Sequence, residues 1–279
     1  MKFFVTGGTG FIGSNFINRA ISAGHQVKAI KRRGSYPPIK VSNQVEWIEG
    51  SFQQVIPLIG ECTSDCLIHF AAYGVYDTDN WEQCFQVNLN DSFSLLRSAI
   101  DAGTSSIVLI GTCFEYGKSG ERYDYIPENA PLEPTCAYGA SKAAMSLCMS
   151  AFAMRQNIRL QILRPFHTFG PGERKTRFFQ SLKNAAKNGY DFPMTSGEQV
   201  RDFCSVSSVA DQILEAASHK DIPQGIPLAH NLGTGRPQSL REFAEYWWEK
   251  WGATGDLQCG ALPQRQNEVM RYVPLIKPS

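Results

Sequence analysis

Three glycines at fixed spacing behind the first apolar run constrain this chain more than any other feature. Phe3-Phe4-Val5 leads into Thr6-Gly7-Gly8-Thr9-Gly10-Phe11-Ile12-Gly13. This G-x-x-G-x-x-G loop joins a strand pattern over Lys2–Thr6 to a helical pattern over Phe11–Ala23. A strand that turns this tightly into a helix presents the helix's first N–H groups to an anion. Gly7 allows the turn, Gly10 lets the backbone approach a pyrophosphate, and Gly13 lets the helix pack on the strand. An ordinary glycine-rich βα turn would carry the same residues. The strand–loop–helix context is what favours a dinucleotide.

Further apolar runs at Gln26–Lys31, Val45–Glu49, Cys66–Ala71, Ser106–Gly111 and Arg159–Arg164 read as strands. Between them lie helical patterns at Trp81–Ala102 and Tyr138–Arg155. Strands alternating with such helices predict an α/β fold, a doubly wound parallel Rossmann sheet. The runs are apolar on both sides, as helices on both faces require. After Gly170-Pro171-Gly172 the texture changes. A polar, basic helix around Lys175–Asn188 precedes Met194-Thr195-Ser196-Gly197, and Val200–Val209 reads as a return to the sheet. A Trp-rich helix with Phe243, Trp247, Trp248 and Trp251 starts at Ser239. The expected division is a dinucleotide-binding domain of 1–172 plus 201–236. Residues 173–200 plus 237–279 would form a smaller C-terminal substrate lobe over the sheet's C-terminal edge.

Composition narrows the function classes. Lys and Arg total 27 against 26 Asp and Glu, leaving +1, no bulk field for nucleic acid or an acidic membrane. With 43% hydrophobic and 19% charged residues the chain can fill a core. No uncharged apolar run approaches the ~20 residues of a membrane span, and the N-terminus lacks a signal-peptide pattern. A cytoplasmic protein is expected. The eight cysteines fall in strand-like and helical runs, as reduced buried thiols do. Cys62 and Cys66 are the one close pair, and no neighbouring residue completes a metal set.

The second strand pattern ends in Ile30-Lys31-Arg32-Arg33, where a Rossmann unit meets the adenosine ribose. No carboxylate stands there to accept from a free 2′-hydroxyl, and three cations suit a 2′-phosphate. NADP is the expected cofactor, with NAD possible; the bland alternative is a solvated basic strand end. Tyr138-Gly139-Ala140-Ser141-Lys142 sets a phenol and an ammonium one helical turn apart. The ammonium favours the phenolate and so tunes an acid–base group, and Lys142 can also hold the nicotinamide ribose. Thr112, ending the Ser106–Gly111 run, directs a hydroxyl at the ligand crevice of such a sheet. A helix-surface pair would show the Tyr–Lys spacing too. The order of phosphate loop, strand-end Thr and Tyr–Lys pair argues for an oxidoreductase site.

These motifs are joined by HFAAYG at 69–74, VNLNDSFSLLRSA at 87–99, LRPFHTFGPGER at 163–174, RDF at 201–203 and NLGTG at 231–235. Over nearly its whole length the chain resembles the extended short-chain dehydrogenases/reductases of the NAD-dependent epimerase/dehydratase type. The resemblance implies Thr112, Tyr138 and Lys142 as catalytic residues. It implies cofactor contacts from Gly7, Gly10, Phe11, Ile12, Gly13, Lys31, Arg32, Arg33, Ser51, Phe52, Ala71, Ala72, Tyr138, Lys142 and Pro165, with Asn88 as a structural or relay residue beside the cofactor. For a nucleotide-sugar substrate it implies Tyr73, Thr112, Cys113, Tyr138, His167, Thr195, Arg201 and Arg265. The two arginines would clamp the diphosphate; surface salt bridges are their bland alternative.

Several positions depart from the family pattern. Gly50-Ser51 replaces a Gly-Asp that contacts adenine, and Ser207-Ser208 replaces an acidic pair. The sequence stops at Ser279 where relatives add a helical segment. Either this copy is truncated or its lobe is smaller; in both cases an exposed Trp-rich face and a homodimer are expected. In 4,6-dehydratases an Asp-Glu pair follows the strand-end Thr; here Cys113 and Phe114 hold those places and Glu115 comes one position late. Dehydration is not expected. Ala72-Tyr73-Gly74, the Thr195–Phe203 run and the Arg265–Met270 run resemble the CDP-paratose and CDP-abequose synthase subgroup. That implies NADPH-dependent reduction of the C4 keto group of a nucleotide-bound 4-keto-deoxyhexose, for surface polysaccharide. A 4-epimerase with tightly bound NAD and a non-catalytic NADP-binding sensor are the alternatives.

Overall fold

The computed structural model describes residues 1–61, 64–75, 79–219, 221–264 and 268–276. Its strands are β1 (Lys2–Thr6), β2 (Gln26–Lys31), β3 (Glu46–Glu49), β4 (Cys66–His69), β5 (Ser106–Ile110), β6 (Arg159–Pro165), β7 (His167–Phe169), β8 (Phe192–Met194), β9 (Val200–Arg201), β10 (Phe203–Ser205), β11 (Leu228–Leu232), β12 (Gln238–Ser239), β13 (Leu257–Cys259) and β14 (Arg271–Tyr272). Seven of them form the central sheet in the order β11-β6-β5-β4-β1-β2-β3, every pair parallel. The order reverses between β1 and β4, which opens the crevice where such sheets bind ligands.

Alternation along each strand builds two cores, one per face. Phe3, Val5, Val108, Ile110 and Leu163 face one side, with Phe16 and Ile17 of α1 (Phe11–Ser22) and Val209 and Ile213 of α7 (Val206–Ser218). Phe4, Ile107, Leu109, Leu160 and Ile162 face the other. They meet Leu95 and Leu96 of α4 (Ser92–Asp101) and Met145 and Met149 of α5 (Ala137–Gln156). Four further helices are α2 (Phe52–Val55), α3 (Trp81–Phe85), α6 (Phe178–Asn188) and α8 (Leu240–Lys250).

The continuous helix expected over Trp81–Ala102 is interrupted. Between α3 and α4, residues Gln86–Asp91 form a π-helical turn. The Ser92 hydroxyl bonds the Val87 carbonyl at 2.7 Å, five residues back, and the wider turn rotates Asn88 into the interior.

Val200–Val209 does not return to the central sheet, contrary to the sequence expectation. Val200–Arg201 pairs with β12 and β14, Phe203–Ser205 pairs with β7, and Val206 already opens α7. The Ser205 hydroxyl caps that helix by accepting from Ser208 N–H at 3.2 Å, which ends the strand character of the run. The seventh central strand is β11 instead. Its mixed LAHNL pattern and half-exposed first residues carry no clear strand signal.

The Trp-rich face is not an open apolar surface either. Trp247 and Trp251 pack on Phe179 at centroid distances of 5.1 and 5.4 Å, and Phe203 stacks on Phe243 at 4.0 Å. Helices α6 and α8 thereby share a small aromatic core with β8. Among the described residues no helix is long and apolar enough to cross a membrane.

Phe16 ties α1 to the sheet and is fully buried against Phe3 and Phe70. Phe16→Ala is expected to remove about 3–5 kcal/mol of stability, read as a shift in the urea unfolding midpoint.

Candidate active site

The glycine loop is shaped by contact, not only by turn preference. Gly7 has φ +69° and lies so close to β4's continuation that an added Cβ would stand 2.5 Å from Ala71 N. A Cβ on Gly13 would overlap the Gly7 carbonyl. Gly10 caps α1 with no side-chain bond, and no acid lies in the first turn. Nothing in the protein's own side chains thus competes for the positive end of the helix. Phe11 and Ile12 open that helix, half-buried.

Residues Arg32–Ser35 turn back over this loop: Ser35 N–H bonds the Arg32 carbonyl at 2.9 Å, and the Ser35 hydroxyl reaches Thr9 Oγ1 at 3.0 Å. Arg32 and Arg33 are exposed on the turn and have no ion-pair partner among the described residues. Lys31 differs, since its ammonium lies 3.4 Å from Glu49 at the end of β3. Ser51 caps α2 with a reciprocal Gln54 bond, and Phe52 packs beside the His69 ring.

At the crevice, β1 and β4 are linked by side chains. Ala71 N–H donates to Thr6 Oγ1 at 3.3 Å, and Thr6 Oγ1 lies 2.8 Å from His69 Nδ1. His69 Nε2 is 3.0 Å from Ser92 Oγ, which donates to Val87 O. Since the Ser92 proton goes to that carbonyl, Nε2 carries the ring hydrogen and Thr6 donates to Nδ1. Burial, and then the Lys142 charge, drive the His69 pKa down to about 3, so the ring is neutral. Asn88 extends the framework. Its Oδ1 accepts Tyr73 N–H at 2.7 Å, while Nδ2 donates to Tyr73 O and Ser141 Oγ, both at 2.9 Å. Ser141 in turn bonds the Tyr138 carbonyl at 2.9 Å. Asn88 therefore spans from the Ala71-Ala72-Tyr73 segment to the helix of the Tyr–Lys pair.

The structure brings Thr112, Tyr138 and Lys142 together. Thr112 leaves β5 as the cap of a short 3₁₀ turn, its hydroxyl accepting Phe114 N–H at 3.3 Å. All three side chains are buried. Burial raises the Tyr138 pKa, as do the Glu115 charge and the Cys113 thiol, while hydrogen bonding from Thr112 pulls it down. Burial lowers the Lys142 pKa to about 8, opposed by Glu115. Without a positive cofactor ring, the pair is thus a protonated phenol beside an ammonium that loses its charge readily. Cys113 is inert by comparison, its thiol pushed up to about 12 by burial. Ala72 and Tyr73 pack around Tyr138 with Cys84.

On the substrate side, Pro165 ends β6 and His167 lies on β7 with Nδ1 buried and unpartnered. Thr195 Oγ1 accepts Gln199 Nε2 at 3.5 Å. Arg201 points one Nη at Glu268 Oε1 (2.7 Å) and the other at the Val200 carbonyl (2.9 Å). Arg265 lies outside the described residues. The sequence reading missed Glu268 and Tyr272. The Tyr272 hydroxyl donates to the Cys113 and Gly117 carbonyls at 3.0 and 3.2 Å, so the 268–276 segment braces the Thr112 loop. It also missed the Glu115 network, although a lone acid flanked by apolar residues was a signal of burial.

Comparison with known proteins gives the family and the fold. The profile described as NAD dependent epimerase/dehydratase family matches residues 3–232. UDP-glucose 4-epimerase of Corynebacterium glutamicum is 25% identical over 272 residues, covering 90% of this chain and 81% of that protein. The dTDP-6-deoxy-L-talose 4-dehydrogenase (NAD(+)) of Aggregatibacter actinomycetemcomitans is 26% identical over 251 residues, covering 88% of each. The crystal structure of Thermotoga maritima UDP-glucose 4-epimerase with UDP-glucose superposes with a TM-score of 0.85. It is 22% identical and covers 99% of this chain and 90% of that one.

The depressed Lys142 pKa has a stability consequence. Below about pH 8 both folded and unfolded forms hold the proton, and the native state carries the full cost of a buried ammonium. Between about 8 and 10.5 the unfolded chain binds more protons, so this group's contribution rises with pH. Lys142→Met is expected to stabilise the protein at pH 7 by up to roughly 3 kcal/mol. In urea unfolding that gain shrinks toward pH 10; a gain independent of pH contradicts the assignment.

Proposed function

The chain belongs to the NAD dependent epimerase/dehydratase family, and within it we propose an NADPH-dependent reductase of the C4 keto group of a nucleotide-bound 4-keto-deoxyhexose, acting in the cytoplasm. The observation that carries this reading is the Arg32–Ser35 turn. Through Ser35 and Thr9 it is tied to the phosphate loop, and it carries Arg32 and Arg33, exposed and without an ion-pair partner among the described residues. Paired N–H bonds of such arginines suit a ribose 2′-phosphate. The loop itself fits a dinucleotide, because glycine at 7 and 13 lets its backbone pack directly against the Phe70-Ala71 segment and against itself, and the helix end behind it has no side-chain cap or acid.

A dinucleotide held by the glycine loop and Lys142 would supply the hydride. Tyr138, held as a phenol, delivers a proton to the C4 oxygen. Thr112 orients that oxygen, and Lys142 holds the nicotinamide ribose and tunes the phenol. Arg201 binds the diphosphate by exchanging its Glu268 partner, Tyr73, His167 and Thr195 contact the sugar nucleotide, and residues 173–200 plus 237–279 form the substrate lobe. Asn88 acts by position. Cys113 and Phe114, neither suited to acid–base work at neutral pH, support reduction over dehydration. Both curated relatives named above are, by their names, enzymes of carbon 4. A homodimer through the outer face of α5 completes the reading: Leu147 (62% exposed), Ala151 and Met154 (56%) form an apolar stripe there.

One observation favours the second reading, a 4-epimerase with resident NAD. Glu49 lies 3.4 Å from Lys31, so a carboxylate does stand near the ribose end of the sheet.

Purified protein is expected to oxidise NADPH when given a 4-keto-deoxyhexose nucleotide from a panel of bases. Interconversion of UDP-glucose and UDP-galactose with co-purifying NAD, and no NADPH oxidation, establishes the epimerase instead. Tyr138→Phe should lower kcat by ~10²–10⁴ with cofactor affinity retained. Replacing Arg32 and Arg33 together with Ser should weaken NADPH binding by roughly 1.5–3 kcal/mol per lost charge-assisted bond. NADH binding should change little, and an equal loss for both cofactors removes the 2′-phosphate assignment.

A further inference from the structure

Behind the Thr112–Tyr138–Lys142 face lies a fully buried carboxylate that has no part in the chemistry above. Glu115 Oε1 accepts the Thr112 backbone N–H at 3.0 Å. Its Oε2 accepts the Ser146 hydroxyl and Arg164 Nε, both at 2.9 Å. Ser146 stands one helical turn beyond Lys142 on α5, so a single carboxylate ties the end of β5 to the helix of the Tyr–Lys pair. Arg164 donates from Nη1 to the Tyr116 hydroxyl and the Glu128 carbonyl, each at 3.1 Å, and lies over the Tyr116 ring. The backbone makes room for this arrangement: a Cβ on Gly111 would overlap Glu115 Oε1.

A buried ion pair is seldom the most stable filling of such a space, since apolar side chains of similar volume often do as well or better. Its value here is placement and field. We propose that Glu115 is a positioning residue: it fixes the Thr112 loop against α5 and turns a negative field on Lys142 and Tyr138, suiting the site to proton donation in carbonyl reduction. Every group that bears on the pair is consistent with that role. From the loop after β5 come Glu115 and the Cys113 thiol, from β4 the neutral His69, and from the start of α5 the Cys136 thiol. Arg164 approaches from β6 and is paired with Glu115 itself. Glu115 is the one carboxylate among them. Its charge holds the proton on both the phenol and the ammonium.

The proposal rests on the reductase reading only where it concerns turnover, and the test separates the two. In protein labelled with [13Cε]lysine and assigned through Lys142→Arg, the Lys142 NMR titration midpoint should fall by about half a unit or more in Glu115→Gln. This measurement needs no substrate. Ser146→Ala keeps the charge and removes the tether to α5. It should leave the midpoint in place while lowering kcat several-fold at unchanged NADPH affinity. An unmoved midpoint in folded Glu115→Gln overturns the proposal, as does wild-type kcat in Ser146→Ala. If Glu115→Gln does not fold, the Ser146→Ala kinetics decide alone. Absence of NADPH oxidation by the wild-type protein fails the reductase reading, and the NMR midpoint still judges Glu115.

Discussion

Where β1 and β4 end side by side, Thr6, His69 and Ser92 form one run of hydrogen bonds around which the crevice is built. The run works because every member has a fixed donor and acceptor sense: Ser92 must give its proton to Val87, so His69 must give its own to Ser92 and receive from Thr6. Burial keeps the ring neutral. From this line the rest follows by contact. The Ala71 N–H that lands on Thr6 brings the backbone against Gly7, and no side chain fits between them. The π turn that seats Ser92 also swings Asn88 inward, and Asn88 reaches both Tyr73 and the helix of Tyr138.

A second framework meets the first from the other side of the crevice. Glu115, Arg164, Tyr116 and Asn231 connect β5, β6, β11 and α5 through buried polar bonds. Between the two frameworks Thr112, Tyr138 and Lys142 have little freedom, which is what a site needs if proton transfer is to occur at short range. The small lobe is built differently. Ring packing of Phe179, Phe243, Trp247 and Trp251 holds it together, and rings tolerate small shifts better than aligned hydrogen bonds do.

Six of the seven strands of the central sheet were legible, β11 being the exception, because they are short apolar runs whose alternate residues enter two cores. Lys2–Thr6 and Gln26–Lys31 end where the pattern ends. Legibility failed where a local polar bond overrides the pattern. Ser92 opens a π turn inside an unbroken helical periodicity, and Ser205 starts a helix inside a β-rich run. At the site, the glycines and the Tyr–Lys pair announce themselves by spacing, because each acts through its own backbone or helix face. Glu115 does so only in part, through the T-x-x-E spacing that lets it cap the turn begun by Thr112; its bond to Arg164, and that of Tyr272 to Cys113 across 159 residues, are encoded by no local spacing.

That last separation also divides the site into a local and a long-range part. The hydrogen bonds of the β1–β4 junction close within the chain up to Ser92, while the core beneath them still draws on Leu163 of β6 and on Val209 and Ile213 of α7. The loop bearing Thr112 is different. Its carbonyls at Cys113 and Gly117 accept from the hydroxyl of Tyr272, and Ile126 N–H donates to the carbonyl of Val273. The reaction centre is thus braced from the far end of the described chain, whereas the bonds around the glycine loop are made by neighbours in the first strands.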